Sequence, residues 1–282
     1  MLRCYCLKKI ENIRQLQLVS IYVYKQLLSF CKENGLSVYL LGGTLIGAVR
    51  EKKFISWDDD IDVCMSRKDY EKLMDISSGK ISSDCSIIDP ETDDNFKGYI
   101  SLAVYNKSRS ISEQYREPEE SKIGVSIFVY DGVPDNKILR NIYYAYMYIL
   151  RAQHALCRAD FNHVNSRIAK LFGPFLSNFY NKNKVYYFKK KILKLQKRYP
   201  YSSSTFVSPN TDTDAWLEVF PKELFETSVK LKFEGVECDA FSYYDLHLKK
   251  YYGNYMTPPP IDKREPKHSF KAWIDEEFVF EE

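Results

Sequence analysis

Four carboxylates stand within five positions at Asp58, Asp59, Asp60 and Asp62. Side chains two apart on a strand point to one face, so a strand through this segment aims Asp60 and Asp62 together. Two such charges roughly 6–7 Å apart repel by about 2–3 kcal/mol at an effective dielectric near 20. Water, protonation or a cation must offset that repulsion. Hard oxygen donors of this kind suit Mg2+ or Mn2+, which take one or two carboxylates and leave positions for substrate phosphates. A solvated acidic turn is the plainer reading of any charge cluster. Phe54 and Trp57 before the cluster, and Ile61 and Val63 within it, set this one against a core instead. The glycine and terminal glutamate of an EF-hand loop are missing.

Upstream, the short apolar stretch Leu36 to Leu41 reads as a strand that runs straight into Gly42-Gly43-Thr44. Thr44 is placed to cap a short helix ending near Arg50. A glycine pair at a helix start exposes backbone N–H groups in a positive dipole field, a natural cradle for phosphate. Glycines at strand–helix junctions are more often turn residues alone. Coupled to the paired aspartates that follow, they match the plan of nucleotidyltransferase-type folds. Backbone holds phosphates there while carboxylates hold a metal. Arg50, Lys52 and Lys53 are candidates to neutralise phosphate oxygens, Arg50 foremost. Gly47 inside the helix costs roughly 1 kcal/mol against alanine, which suggests a close approach of backbone or ligand.

These groups need elements to position them. Apolar residues at helical spacing from Ile13 to Phe30 predict a helix stopped at Asn34-Gly35. Ile61 to Cys64 reads as a strand, and Ser66-Arg67-Lys68-Asp69 as a capping box opening a helix through about Ile76. Further strands are expected at 85–88, 99–105 and 124–130, with Asp131-Gly132 and Pro134 as turn chemistry. Residues 137–198 read as helical, with a break at Gly173-Pro174. Strands at 229–233 and 236–238 are joined by Glu234-Gly235 as a hairpin, and a helix follows from about Tyr243 to Tyr252. The expected fold is α+β: a mixed sheet flanked by helices, with a helical insertion or extension. One domain spans residues 1–282. Its parts are a core at 1–135, a helical block at 136–200, and a C-terminal hairpin and helix at 201–282 that pack back on the core.

Composition narrows the partners. The 282 residues are 45% hydrophobic and 28% charged, as in globular proteins, and the net charge of +3 is too small to argue for nucleic acid. The seven cysteines form no CxxC pair, and the four histidines add no metal-ligand spacing. Free thiols in a reducing, cytoplasmic setting fit this best. The N-terminus lacks a secretory h-region. The longest apolar run, Ile142 to Leu150, is about half the ~20 residues that span a membrane. A run of lysines from Lys182 to Lys197, interleaved with Tyr186, Tyr187 and Phe188, reads first as a solvated helix face. Contact with an anionic membrane surface is its functional alternative. Tyr143, Tyr144, Tyr146 and Tyr148 with Met147 read as packing a helix on the core, and His247 reads as structural.

The stretch LGGTLIGAVREKKFISWDDDIDV resembles the LicD family, which also contains fukutin and the fukutin-related protein. The resemblance extends to GVSIFVYDGVP at 124–134, to FEG at 233–235 and to YYGNYMTPPP at 251–260. It implies a nucleotidyltransferase-like fold and transfer of a phospho-alcohol, phosphocholine above all, from a CDP-activated donor to a glycan or lipid-linked glycan. Carried over, Asp60 and Asp62 are metal ligands and Asp58 a neighbouring carboxylate. Gly42, Gly43 and Thr44 form the phosphate turn, with Arg50, Trp57 and Asp131 as further substrate contacts. The family pattern IDIFPLDG is here VSIFVYDG, so Ser126 stands where an aspartate is usual and Val129 where a proline is. Serine cannot act as an anionic ligand. Three readings stay open: the phosphotransferase, a nucleotidyltransferase releasing pyrophosphate, and a degenerate non-catalytic relative. Asp58 and Asp131 are both candidates to accept the acceptor's proton. The implied setting is the cytoplasm, with peripheral contact at the inner face of the membrane.

Overall fold

The computed structural model describes residues 6–113, 115–160, 171, 175, 179–266 and 270–281. The expected break at Gly173-Pro174 lies outside them. Strand β1 (Leu7–Lys9) leads to helix α1 (Ile13–Glu33), capped by Asn12 and closed at Asn34 and Gly35, the latter at φ +61°. Strand β2 is short, Tyr39–Leu40, and passes directly into α2 (Gly42–Arg50). Then follow β3 (Ile61–Ser66), α3 (Arg67–Ser77), β4 (Cys85–Ile88), β5 (Ser101–Tyr105), β6 (Ser108–Ser112), β7 (Glu119–Ser121) and β8 (Gly124–Val133). Of the predicted capping box the Ser66 half is present: Ser66 Oγ accepts the Asp69 N–H at 3.0 Å and donates to the Asp69 carboxylate at 3.0 Å.

Helix α4 (Lys137–Arg158) packs on α5 (Val185–Gln196). Strands β9 (Phe206–Ser208) and β10 (Phe220–Pro221), helix α6 (Lys222–Phe225), the hairpin β11 (Ser228–Phe233) and β12 (Val236–Phe241), helix α7 (Tyr244–Tyr252) and β13 (Phe270–Asp275) complete the chain. The hairpin turn carries φ +49° at Glu234 and +75° at Gly235, the left-handed pair that a two-residue turn requires.

The larger sheet runs β10-β9-β8-β3-β2-β12-β11, with β5 also on β8 and β4 on β5. Strands β3 and β8 lie parallel at its centre with Asp62 opposite Ser126, and β2 lies antiparallel to β3. A smaller sheet, β1-β13-β6-β7, joins the two chain ends. The α+β expectation is borne out.

Two expectations fail for a shared reason, long-range pairing. Asp131-Gly132 is strand and not turn, because β9 pairs Asp131, Gly132 and Val133 with Ser208, Val207 and Phe206. The stretch after the 243–252 helix, where no further strand is expected, forms β13 by adding to β1 and β6. Tyr143 and Met147 are buried against Val185, Phe188, Ile192 and Leu195, whereas Tyr146 and Tyr148 face solvent. His247 is buried, its pKa pushed down to about 4 by burial and then by the Lys250 charge.

Candidate active site

The glycine pair lies where chain direction changes within one residue. Leu41 is extended at φ −133°, its N–H donating to the Asp62 carbonyl at 3.0 Å; Gly42 then turns to φ +56°. Only glycine takes that conformation without strain. Thr44 does not cap the helix as expected. It lies inside α2, and its Oγ1 accepts the Asp62 N–H at 3.0 Å, tying the helix start to β3.

Both glycines are also spatial requirements. A Cβ on Gly42 would lie 3.3 Å from Asp62 Oδ2 and 3.6 Å from the Tyr252 hydroxyl. A Cβ on Gly43 would collide with the Asp58 carboxylate. Asp58 and Asp62 thus flank the first turn of α2, where the helix dipole favours negative charge. Gly43→Ala is expected to lower activity by about a hundredfold, since a misplacement near 1 Å costs that much. Steady-state rates with the melting temperature measured alongside check this; an alanine variant with normal rates would show the contact to be dispensable.

Asp58, Asp59 and Asp60 sit on an irregular segment, for β3 begins only at Ile61, and Asp62 alone of the four lies on that strand. Asp58, Asp59 and Asp60 each bring one oxygen within 4.8 Å of the others, and Asp62 is not part of that trio. Asp58 and Asp59 are buried; Asp60 and Asp62 are half-buried. Several contacts pin the segment. Buried Gln17 of α1 donates to the carbonyls of Asp58 at 2.8 Å and Ile55 at 3.2 Å. The missing Cβ of Gly47 leaves room for the Lys53 carbonyl, which a methyl there would meet at 2.6 Å, so the close approach expected from sequence is to backbone. From the hairpin turn, Glu234 accepts the Phe54 N–H at 2.8 Å and a bidentate Arg14 at 3.0 Å. Burial works to raise the Glu234 pKa, but the Arg14 and Phe54 hydrogen bonds outweigh it and hold the carboxyl below its usual range. Glu234 belongs to the FEG motif, which here braces the acidic segment.

The other candidates fall in three places. Trp57 packs partly buried on the core, with the Arg264 guanidinium 5.0 Å from its ring centroid. Arg50 is committed at the far end of α2, to Glu51 at 2.8 Å and to the Tyr255 carbonyl at 3.0 Å. Asp131 is buried and held bidentately by Arg67 at 2.7 and 2.8 Å. It lies five residues beyond Ser126 on β8, about 16 Å along the strand. The structure therefore does not bring Arg50 or Asp131 to the carboxylates. It brings Tyr252 instead, whose pKa is raised by burial first and then by Tyr251, Glu218 and Asp62. That phenol stays protonated and is a hydrogen-bond donor beside Gly42.

Next to the carboxylates opens a cleft of about 660 Å³, lined by Asp59, Asp60 and Ser126 and by Phe96, Tyr99 and Tyr115. A family model described as LicD/FKTN/FKRP, nucleotidyltransferase domain, matches residues 35–132. A protein of Haemophilus influenzae named lipopolysaccharide cholinephosphotransferase LicD is 30% identical over 273 residues, covering 93% of this chain and 98% of that one. The chain belongs to the LicD family. The matched LicD domain runs from the turn before β2 through the glycine pair and the aspartates to Gly132 of β8. Helices α4 and α5 and the hairpin lie outside it, although Glu234 and Tyr252 reach back into the site.

Asp59 and Tyr252 are the residues that sequence reasoning passed over. Strand alternation sent Asp59 to the opposite face, and only the irregular backbone before Ile61 brings it in. Tyr252 lay within the YYGNYMTPPP stretch, but nothing local showed which aromatic hydroxyl reaches Gly42.

Proposed function

We propose that the protein transfers a phospho-alcohol, phosphocholine first among them, from a CDP-activated donor to a glycan hydroxyl of a cell-surface polysaccharide or lipopolysaccharide precursor. The observation that carries this reading is the carboxylate trio set against a glycine-paired helix start. Three hard oxygen donors within 4.8 Å of one another fit a small divalent ion, Mg2+ or Mn2+. Asp58, Asp59 and Asp60 would hold it, with Asp62 beside them at Gly42. When bound, such an ion neutralises phosphate charge and favours departure of the nucleotide.

The chain's own groups supply the rest. Backbone N–H groups at the start of α2 orient the donor phosphates, and the Tyr252 hydroxyl donates beside them. The cleft beside Asp59 and Asp60 receives the acceptor and aligns its hydroxyl for in-line attack. The proton of that hydroxyl passes to a carboxylate of the 58–62 segment, because Asp131 is committed to Arg67. The name of the H. influenzae relative, matched over nearly its full length, favours choline as the cargo. Activated nucleotide donors are cytoplasmic and glycan precursors often lipid-linked, so the enzyme works at the inner face of the membrane. No helix among the described residues is long and apolar enough to cross it.

Two rivals each rest on one observation. The matched domain is described as a nucleotidyltransferase, which would join a nucleotide to an acceptor and release pyrophosphate. Ser126, beside Asp62 in the sheet, favours a degenerate, non-catalytic relative. Incubation with choline-labelled CDP-choline, and separately with labelled CTP, distinguishes all three. The expected result is labelled glycan with CMP. Pyrophosphate released from CTP would favour the first rival. No product from either, with no binding of CDP and Mg2+ in calorimetry, would favour the second.

A further inference from the structure

Helix α4 shows solvent an apolar face along most of its length. Ile138, Leu139, Ile142 and Ile149 are 71%, 55%, 60% and 51% exposed, and Tyr146 and Tyr148 flank them. The adjoining face is already occupied, with Tyr143, Met147, Leu150 and Cys157 packed toward α5. The outward stripe is therefore not the core side of a helix in the wrong place. Large aliphatic side chains gathered in one exposed stripe mark an interaction surface.

Charge says what kind of surface. From Lys137 to Arg158 there is no aspartate or glutamate. Beside α4, helix α5 turns Tyr187, Lys190, Lys191 and Lys194 outward. The Lys191 ammonium lies 4.5 Å from the Tyr187 ring centroid. Its pKa is raised by the Tyr187 hydrogen bond first, with Tyr146 a lesser cause, so the lysine edge of α5 adjoins the aromatic edge of α4. Other lysines of the run are used within the protein. Lys189 is buried and donates to the carbonyls of Asp93 and Phe96, while Lys182 and Lys197 pair with Glu117 and Glu91. Lys137, Lys191 and Lys194 have no ion pair among the described residues.

We propose that this face docks the protein on an anionic lipid bilayer, with Ile138, Leu139, Ile142 and Ile149 in the headgroup–acyl boundary and Lys137, Lys191 and Lys194 against lipid phosphates. An aliphatic stripe edged by tyrosine and lysine, on two helices that carry no acid of their own, is the pattern of an interfacial helix, and each lysine near an anionic surface adds to the attraction. The helix is roughly 33 Å long. Its last turn supplies Arg158 to the wall of the cleft beside Asp60. Laid on the bilayer, α4 would lead from the lipid surface to the place where a lipid-anchored acceptor is needed. The proposal rests on the acceptor reading for its purpose but not for its test.

The test is cosedimentation of the full chain with vesicles, without nucleotide, metal or acceptor. Binding is expected to phosphatidylglycerol–phosphatidylethanolamine vesicles, weakly to phosphatidylcholine, and to fall with added salt. Ile142→Glu with Ile149→Glu should weaken binding at least about tenfold. Both positions are exposed, so melting temperature and transfer to a soluble oligosaccharide should stay unchanged. Lys191→Glu with Lys194→Glu should abolish the preference for anionic lipid. Wild-type protein left in the supernatant, or a double glutamate variant that binds normally, would overturn the assignment. So would a solution dimer that the glutamate pair dissociates, which would give the face to a second copy. Loss of transferase activity alone would leave the vesicle result standing.

Discussion

Asp60→Asn is expected to lower transfer by about a thousandfold while leaving the fold intact, because electrostatic stabilisation of transferring phosphate is the largest contribution a single group there makes. The amide keeps the shape of the carboxylate and removes its charge. Asp60 is half-buried within a trio of like charges, so the change also relieves repulsion. The melting temperature should hold or rise slightly. Transfer of labelled choline, with a thermal melt on the same preparation, reads both quantities. Near-normal turnover would remove the trio from the chemistry. Asp59→Asn and Asp62→Asn sharpen the test. If the trio grips the cation, Asp59→Asn is the more damaging; if Asp60 and Asp62 act as a pair, Asp62→Asn is.

The second large effect falls on stability, at Arg67. Asp131 is almost fully buried, and its carboxylate depends on the Arg67 fork for both oxygens. Removing one member of a buried pair leaves an uncompensated charge, and Arg67→Ala should cost about 3–5 kcal/mol. The sign of the pH dependence follows from the direction of the Asp131 shift. Burial, the largest cause, pushes its pKa up, and the Arg67 hydrogen bond and charge pull against it. Without Arg67 the rise is larger. A group whose folded pKa is raised contributes most at low pH, and that contribution is lost as pH climbs through the folded value. The deficit of the variant should therefore be small below the ordinary carboxylate range and full at neutral pH. Urea denaturation across that window measures it. A deficit that grows on acidification would mean the pair is not what holds Asp131.

How far the sequence reached depended on the range of the interactions involved. The α1 boundaries, the capping box at Ser66, strand β4 and the hairpin turn at Glu234-Gly235 were legible because caps and turns are set within a few residues. The glycine pair was legible for the same reason, since a strand meeting a helix in one residue needs a positive φ. Strand Leu36–Leu41 shortened to Tyr39–Leu40, and residues 131–133 of the expected turn became strand, because pairing with β9 overrode local turn chemistry. Strands β1, β6, β7, β9, β10 and β13 went unread. They are short or carry mixed polar sequence, and only distant partners complete them.

The site divides along the same line. By itself the sequence determined that four carboxylates and a phosphate-type helix start would lie close together, because a short strand, a short helix and one loop leave them nowhere else to go. Only the tertiary structure decided which carboxylates converge. The backbone before Ile61 is held irregular by Gln17 and Glu234 from distant segments, and that irregularity draws in Asp59. It likewise withdrew Arg50 and Asp131 into internal contacts and placed Tyr252 at Gly42. Such choices depend on which partner reaches a side chain first in space, and spacing along the chain carries no record of that.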